Sequence, residues 1–357
     1  RRGYAYGPLV AYPGNNAWEL VSGAFSQLGQ GATYMSFFNY GPHYVPSSSP
    51  NSQHAWVHDG TRYITYATGA VEDRLYDAQV LTGDVALLLS TTSDIWNYDV
   101  SQDTQTFANL YGMERTYLYL LLRHLQASVD VLAEEDLPEQ LDRYRMLVVS
   151  DSHLRAEYVP DILRWVRAGG TLYVGANALA RDQYNRPLGL VETLGLTRAE
   201  PEIDGSPRPG RPQYELNRRQ ALAKVNTREP FDAIFATQAI EGGQALFTTE
   251  DGRPALVEAS HGAGRVIASF TFPAMEYIKT SDWDKDLRIA STTLFSSGPR
   301  EFVGKALERG GIVPKAECSH MLLEANLLRN ENTVIVALAN WSGREQEATL
   351  RLHGLGQ

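Results

Sequence analysis

Residues 85–178 predict an α/β fold built on an open, doubly wound, flavodoxin-like sheet, and two features of the sequence lead to that class. Short runs of uninterrupted apolar residues read as strands buried on both faces. Between them lie longer stretches whose apolar residues recur at steps of three and four, the mark of an amphipathic helix. Strict alternation of the two requires right-handed crossovers and a parallel sheet covered by helices on both sides.

The first strand is Val85-Ala86-Leu87-Leu88-Leu89-Ser90, which breaks into the polar Thr91-Thr92-Ser93-Asp94. A helix is expected from Thr106 to Gln126, with Phe107, Leu110, Met113, Tyr117, Leu120, Leu121 and Leu125 on one stripe. Val129 to Leu132 forms the second strand, and after an acidic connection Met146-Leu147-Val148-Val149-Ser150 forms the third. Val159 to Ala168 is a helix stopped by Gly169-Gly170, and Thr171-Leu172-Tyr173-Val174 is the fourth strand. Further on, Ala255 to Ala259 and Arg265 to Phe270 flank His261-Gly262-Ala263-Gly264, whose glycines permit the positive φ of a tight turn. This hairpin is assigned to the same sheet. Residues 180–250 hold few long apolar runs, and Gly205 to Pro212 is a surface loop by composition.

The segments on either side follow other patterns. Pro8 to Tyr12 is a short strand, and Ala17 to Leu28 is helical with Trp18, Val21, Phe25 and Leu28 on one face. Ala32 to Asn39 is an aromatic-rich strand, and Thr61 to Tyr76 is a second helix. Two βα units cannot close a barrel, so residues 1–80 read as the end of a fold that starts upstream. After expected helices at Asp284 to Phe295 and Arg300 to Gly310, the period changes. Met321 to Arg329, Thr333 to Asn340 and Glu347 to Leu352 are short strands separated by Asn- and Gly-containing turns, a small antiparallel β domain.

Composition narrows the function classes. A chain of 357 residues exceeds one ordinary core, and three domains are expected, at 1–80, 81–280 with an insertion near 198–228, and 281–357. The net charge of −10 supplies no basic excess to release counterions from nucleic acid or to hold an anionic bilayer, so neither is an expected partner. Cys318 is the single cysteine, which excludes an intrachain disulfide and a cysteine-rich zinc site, and no metal or cofactor is expected.

Three stretches together carry a family resemblance: Val85 to Trp96, Trp165-Val166-Arg167-Ala168-Gly169-Gly170-Thr171-Leu172, and Gly262-Ala263-Gly264-Arg265-Val266-Ile267. They resemble the amidotransferase-like middle domain of family 42 type β-galactosidases. Tyr12-Pro13-Gly14-Asn15, Trp18-Glu19-Leu20 and Phe37 to Pro42 look like the last two βα units of the catalytic (β/α)8 barrel, and Val334 to Gly343 like the small C-terminal β domain. The resemblance implies an oligosaccharide or glycoside as ligand and a homo-oligomer, a trimer in that family.

Chemistry at the expected sites is incomplete. Barrel enzymes place catalytic groups at the C-terminal ends of strands, and glycoside hydrolysis needs two carboxylates, roughly 5 to 9 Å apart. Where the family places its nucleophilic Glu at the end of the seventh strand, this chain reads Val10-Ala11-Tyr12-Pro13-Gly14-Asn15. Glu19 is the nearest carboxylate, in a first helical turn where an acid commonly offsets the helix dipole. Tyr12, Asn15, Asn39, Tyr40, His43 and Tyr44 offer stacking faces and hydrogen bonds to a sugar. In the central domain the strand ends 90–94, 150–153 and 175–177 contain no Cys, so the thiol of true amidotransferases is missing. Ser150-Asp151-Ser152-His153 crowds three catalytic residue types into adjacent positions, poor geometry for a triad. The family resemblance, in which this domain makes trimer contacts and lends a residue to a neighbouring active site, implies a cleft rim or subunit interface for Asp94, Trp96 and Tyr98. Two functions compete: the C-terminal portion of a β-galactosidase-like glycoside hydrolase, inactive by itself, and a noncatalytic carbohydrate-binding or oligomerisation module. An amidotransferase or flavodoxin-type enzyme has fold analogy alone behind it.

Overall fold

The computed structural model describes residues 9–10, 16–37, 55–97, 110–203, 221–282, 284 and 292–354. The chain forms two compact units, one made of Gly83–Ser281 and Phe295–Val313, the other of Arg1–Thr82, Asp282–Leu294 and Pro314–Gln357.

The first unit is organised by a seven-stranded sheet. Its strands are β1 (Val85–Leu89), β2 (Val129–Ala133), β3 (Met146–Val149), β4 (Thr171–Val174), β5 (Gln244–Thr248), β6 (Pro254–His261) and β7 (Gly264–Ser269), in the order β5-β6-β7-β4-β3-β1-β2. Pairing is parallel from β7 through β2 and antiparallel at β5, β6 and β7. The parallel strands therefore run 2-1-3-4-7, a doubly wound order that reverses direction between β1 and β3. Residues 85–88 and 146–149 are all buried, as strands covered on both faces must be.

The helix expected from Thr106 is described from Leu110 to His124; its deepest apolar residues are Leu118, Leu121 and Leu122, while Leu120 is half-buried and Phe107 lies outside the described residues. The stripe turns because this helix packs on the helix Pro273–Lys279 and on Gly298–Arg309 as well as on the sheet. The polar stretch after β1 is not a break but a helix, Thr91–Asn97. In the hairpin, Gly262 has φ +62, whereas Gly264 does not lie in the left-handed region. Gly264 is required by close approach, since a Cβ there would sit 2.1 Å from Val166 O and 2.3 Å from Gly170 O. Short ladders missed by sequence patterning fill residues 197–241: Thr197–Arg198 pairs Ile240–Glu241, Glu202–Ile203 pairs Ala236–Thr237, and Ala223–Val225 pairs Phe231–Ala233. Strands of two or three residues are too short for a period to be read.

The second unit holds two parallel strands, Leu9–Val10 and Ser36–Phe37, and the helices Ala17–Gly29 and Ala55–Gly69. Asn16 starts the first helix, its Oδ1 accepting from Trp18 N at 2.9 Å and Glu19 N at 3.1 Å. Leu20, Val21 and Ala24 pack on Val57 and Ile64, so the buried face is rotated from the expected stripe, and Trp18 is 67% exposed. The second helix begins at Ala55 rather than Thr61 and is followed by a separate turn of helix, Glu72–Leu75. An antiparallel sheet joins Gln79–Val80, Leu323–Arg329 and Val334–Asn340, and Ala316–Cys318 pairs Leu350–Leu352. The helix expected over 284–295 is corrected in part: Asp282 and Leu294 form an isolated antiparallel bridge, Asp284 and residues 292–295 are not helical, and 285–291 lie outside the described residues.

Two carboxyls are buried between the helices of the first unit. Glu114 accepts from Ala274 N at 3.1 Å and Met275 N at 2.8 Å, and Glu276 accepts from Ile234 N at 2.5 Å. Burial pushes both up to about 8 from an ordinary 4.5, against the pull of those backbone donors. The folded state then keeps protons that the unfolded chain releases above pH 4.5, so stability falls as pH rises toward 8 and levels off beyond it. Unfolding free energy measured by denaturant between pH 6 and 9 is expected to drop by a few kcal/mol, and Glu114→Gln to flatten that slope. A slope equal to wild type in the variant contradicts this account.

Candidate functional site

The reversal between β1 and β3 opens the carboxyl edge of the sheet, where ligands of doubly wound folds are held. A connected polar network occupies it. Asp151, just past β3, is fully buried; its Oδ2 accepts from Ser90 N at the end of β1 at 2.8 Å, and its Oδ1 accepts from Arg115 Nη1 at 2.6 Å. Arg115 comes from the helix Leu110–His124, and its Nη2 also donates to both oxygens of Asp94 at 3.0 Å. Burial pushes the Asp151 carboxyl up to about 6, while the Arg115 guanidinium and the Ser90 amide limit the rise and leave it ionised at neutral pH.

Glu134, following β2, caps the helix Thr91–Asn97 from across the sheet edge. Its Oε1 accepts from Thr92 N at 2.9 Å and Thr92 Oγ1 at 2.6 Å, satisfying a first-turn amide and offsetting the helix dipole. His153 is buried beneath Trp96, with ring centroids 5.5 Å apart and planes 8° from parallel. Its Nε2 lies 3.2 Å from Asn185 Oδ1 and its Nδ1 2.9 Å from Ser152 Oγ. The amide oxygen accepts, so Nε2 carries the proton and Nδ1 accepts from the serine hydroxyl. Burial holds the imidazole below its ordinary pKa, hence neutral at pH 7.

Ser152 and His153 thus make the serine-to-imidazole contact that nucleophilic catalysis uses. The serine is only 2% exposed, and its Oγ also receives Asn97 Nδ2 at 2.9 Å and lies 3.4 Å from Ser93 Oγ. No face of that oxygen is left to meet a substrate, so the chemistry of this group is clamping. It fixes Trp96, which remains 46% exposed and whose Nε1 donates to Gln183 O at 3.1 Å. The edge therefore presents two rigidly held side chains, Asp94 and Trp96.

Of the residues singled out in the sequence, Asp94 and Trp96 lie together on this edge, whereas Tyr98, Tyr12, Asn15, Asn39, Tyr40, His43 and Tyr44 lie outside the described residues. Glu19 sits half-buried in the first turn of its helix. Cys318 is buried among Ala316, Ala325 and Leu327 in the second unit. Arg115, Glu134, Asn97 and Asn185 were missed; a Glu114-Arg115 pair inside an apolar helical stripe was the one signal available. Among the described residues there is no group of three or more His, Cys, Asp or Glu that could hold a metal, and no helix long and apolar enough to cross a membrane.

No protein-family model matches the chain, and no curated protein does. Solved structures do. Gan42B, a family 42 β-galactosidase from G. stearothermophilus, superposes with TM-score 0.69 at 14% identity, covering 98% of this chain and 49% of that one. The β-galactosidase of Bacillus circulans sp. alkalophilus gives 0.65 at 13% identity, over 90% of this chain and 46% of the other. That of Rahnella sp. R3 gives 0.65 at 14%, over 91% and 46%. The chain therefore has the α/β fold of part of these family 42 enzymes and spans just under half their length.

Removing the charge at the centre of the network tests its weight. Asp151→Asn leaves a buried guanidinium with one partner fewer and is expected to cost about 3 to 5 kcal/mol in denaturant unfolding. Arg115→Gln should cost a similar amount, and the double variant less than the sum, because both break the same interaction. Additive losses would show that the two groups are not coupled.

Proposed function

We propose that this chain is the C-terminal portion of a β-galactosidase-like glycoside hydrolase. The single observation that carries the reading is the likeness to Gan42B over 98% of this chain and 49% of that enzyme. In this reading residues 1–80 end a catalytic (β/α)8 barrel, 81–280 form an amidotransferase-like domain, and 281–357 lead into a small β-sandwich domain. The parallel pair Leu9–Val10 and Ser36–Phe37, each followed by a helix, supports the first assignment, and the 2-1-3-4-7 strand order the second.

The central domain is a noncatalytic scaffold. An amidotransferase needs a thiolate at a strand end, and the sequence supplies only Cys318, buried in the other unit with its thiol pushed up by burial. The Ser152–His153 pair is sequestered, which supports a clamp rather than a nucleophile. Asp94 and Trp96, held from behind and open on one side, suit a cleft rim or a subunit contact, with Tyr98 beside them in sequence; a homo-oligomer, trimeric by resemblance, follows from this reading. The sugar ligand is met by Tyr12, Asn15, Asn39, Tyr40, His43 and Tyr44. Barrel strand ends are where such groups act.

Cleavage of a glycosidic bond needs an acid and a second carboxylate at the site, and the segments 11–15 and 38–44 contain neither Asp nor Glu. The chain alone is therefore expected to turn over no aryl galactoside. Turnover that survives repurification and disappears in Glu19→Gln would overturn that expectation and make Glu19 catalytic. In a protein carrying the rest of the barrel, Asn39→Ala is expected to weaken galactoside binding about tenfold or more, the loss of one buried hydrogen bond. Calorimetric titration measures it, with Trp96→Ala alongside; unchanged affinity in both places the sugar elsewhere.

A further inference from the structure

We propose that a groove in the second unit binds an amphipathic monoanion, an apolar body carrying one carboxylate, independently of any glycosidase site. The groove has a volume of about 680 Å³, inside the range of roughly 300 to 1,000 Å³ typical of small-molecule sites. The helices Ala17–Gly29 and Ala55–Gly69, the turn Val71–Leu75 and the strand Val334–Asn340 form its walls.

Four exposed apolar side chains converge there. Trp18, Tyr63, Val71 and Leu338 are 67%, 50%, 41% and 52% exposed, and all four line this one groove. Isolated exposed apolar side chains are ordinary, but a concave cluster of them marks a binding surface. Trp18 and Tyr63 meet edge to face at 5.7 Å, which gives the mouth a fixed aromatic wall. Deeper in, Val21, Phe25, Leu28 and Val336 continue the apolar lining.

The polar groups decide the ligand's chemistry. Ser22 Oγ already donates to Asn340 O at 3.0 Å, and Asn340 Nδ2 to Arg344 O at 2.7 Å, so these two offer little to the many hydroxyls of a sugar. Among the described residues, Arg74 is the single charged side chain of the lining. Among the described residues no carboxylate pairs with it, and its neighbours Glu72 and Asp73 do not line the groove. Asn330 Nδ2 donates to Arg74 O at 2.8 Å and fixes that turn against the sheet. A long apolar wall ending in one unpaired guanidinium complements a single carboxylate on an apolar body.

Calorimetric titration of the chain with decanoate and with decan-1-ol tests the proposal. Decanoate should bind with a dissociation constant in the micromolar range and decan-1-ol at least tenfold more weakly. Arg74→Gln should erase that difference while leaving the alcohol unaffected, and Ala67→Trp, which fills the groove, should abolish both; circular dichroism and melting check that each variant is folded. Absence of decanoate binding, equal binding of acid and alcohol to wild type, or unchanged binding in Ala67→Trp overturns the proposal. So does self-association that blocks decanoate and is relieved by Leu338→Lys, which places a second copy in the groove.

Discussion

The carboxylate of Asp151 is the point on which the carboxyl edge of the sheet depends. A charge at 0% exposure persists only where it is paired and hydrogen-bonded, and here each oxygen has its donor, a strand-end amide from β1 on one and a guanidinium from the helix Leu110–His124 on the other. Those two contacts tie β3 to β1 where the sheet reverses direction and bring the helix against both. Arg115 passes the constraint outward to Asp94, which is half-exposed yet held at both oxygens. The same economy of partners recurs at Glu134 and His153, so the edge is a connected lattice of hydrogen bonds with few loose members.

The rest of the first unit supplies what that lattice requires, a rigid floor and low dielectric. Strands buried on both faces leave the backbone satisfied by the ladder and the side chains in contact on each side. On one side the helices Leu110–His124, Pro273–Lys279 and Gly298–Arg309 pack together, with Phe302 edge to face on Phe231 at 5.5 Å. Glu114 reaches from one of these helices to the first amides of another, which couples their positions to the protonation of a single buried group.

Function follows from arrangement more than from any one residue. A serine and an imidazole at hydrogen-bond distance look like an attacking pair until burial is considered; enclosed by Asn97 and Ser93 and roofed by Trp96, they act as a support. The second unit makes the converse point. Its exposed aromatic and aliphatic side chains are unremarkable singly, and only their convergence beside Arg74 gives them a common ligand chemistry.

Much of the first unit was legible in the sequence. Val85 to Leu89, Met146 to Val149 and Thr171 to Val174 are continuous apolar runs, and because a strand covered on both faces tolerates nothing else, pattern alone located them to within a residue or two. The longer helices were also legible, but the short ones Thr91–Asn97 and Pro273–Lys279 were not, and Asp284 and residues 292–295 are not the helix expected there. Helix faces were not legible either: Trp18 belongs to the apolar stripe by period and yet is exposed, since which side of an amphipathic helix is covered depends on its neighbours. Asp94 and Trp96 could be placed at a strand end by their position after β1. Arg115, Glu134 and Asn185 could not, because they lie 21, 42 and 32 residues from the groups they bind. The sequence by itself determined the order of the long buried strands and the long helices, for burial and periodicity are local properties. The tertiary structure alone decided which charges are paired, which hydroxyls are sequestered and which apolar side chains share a groove, because each of those depends on chain segments that meet only when the sheet has formed.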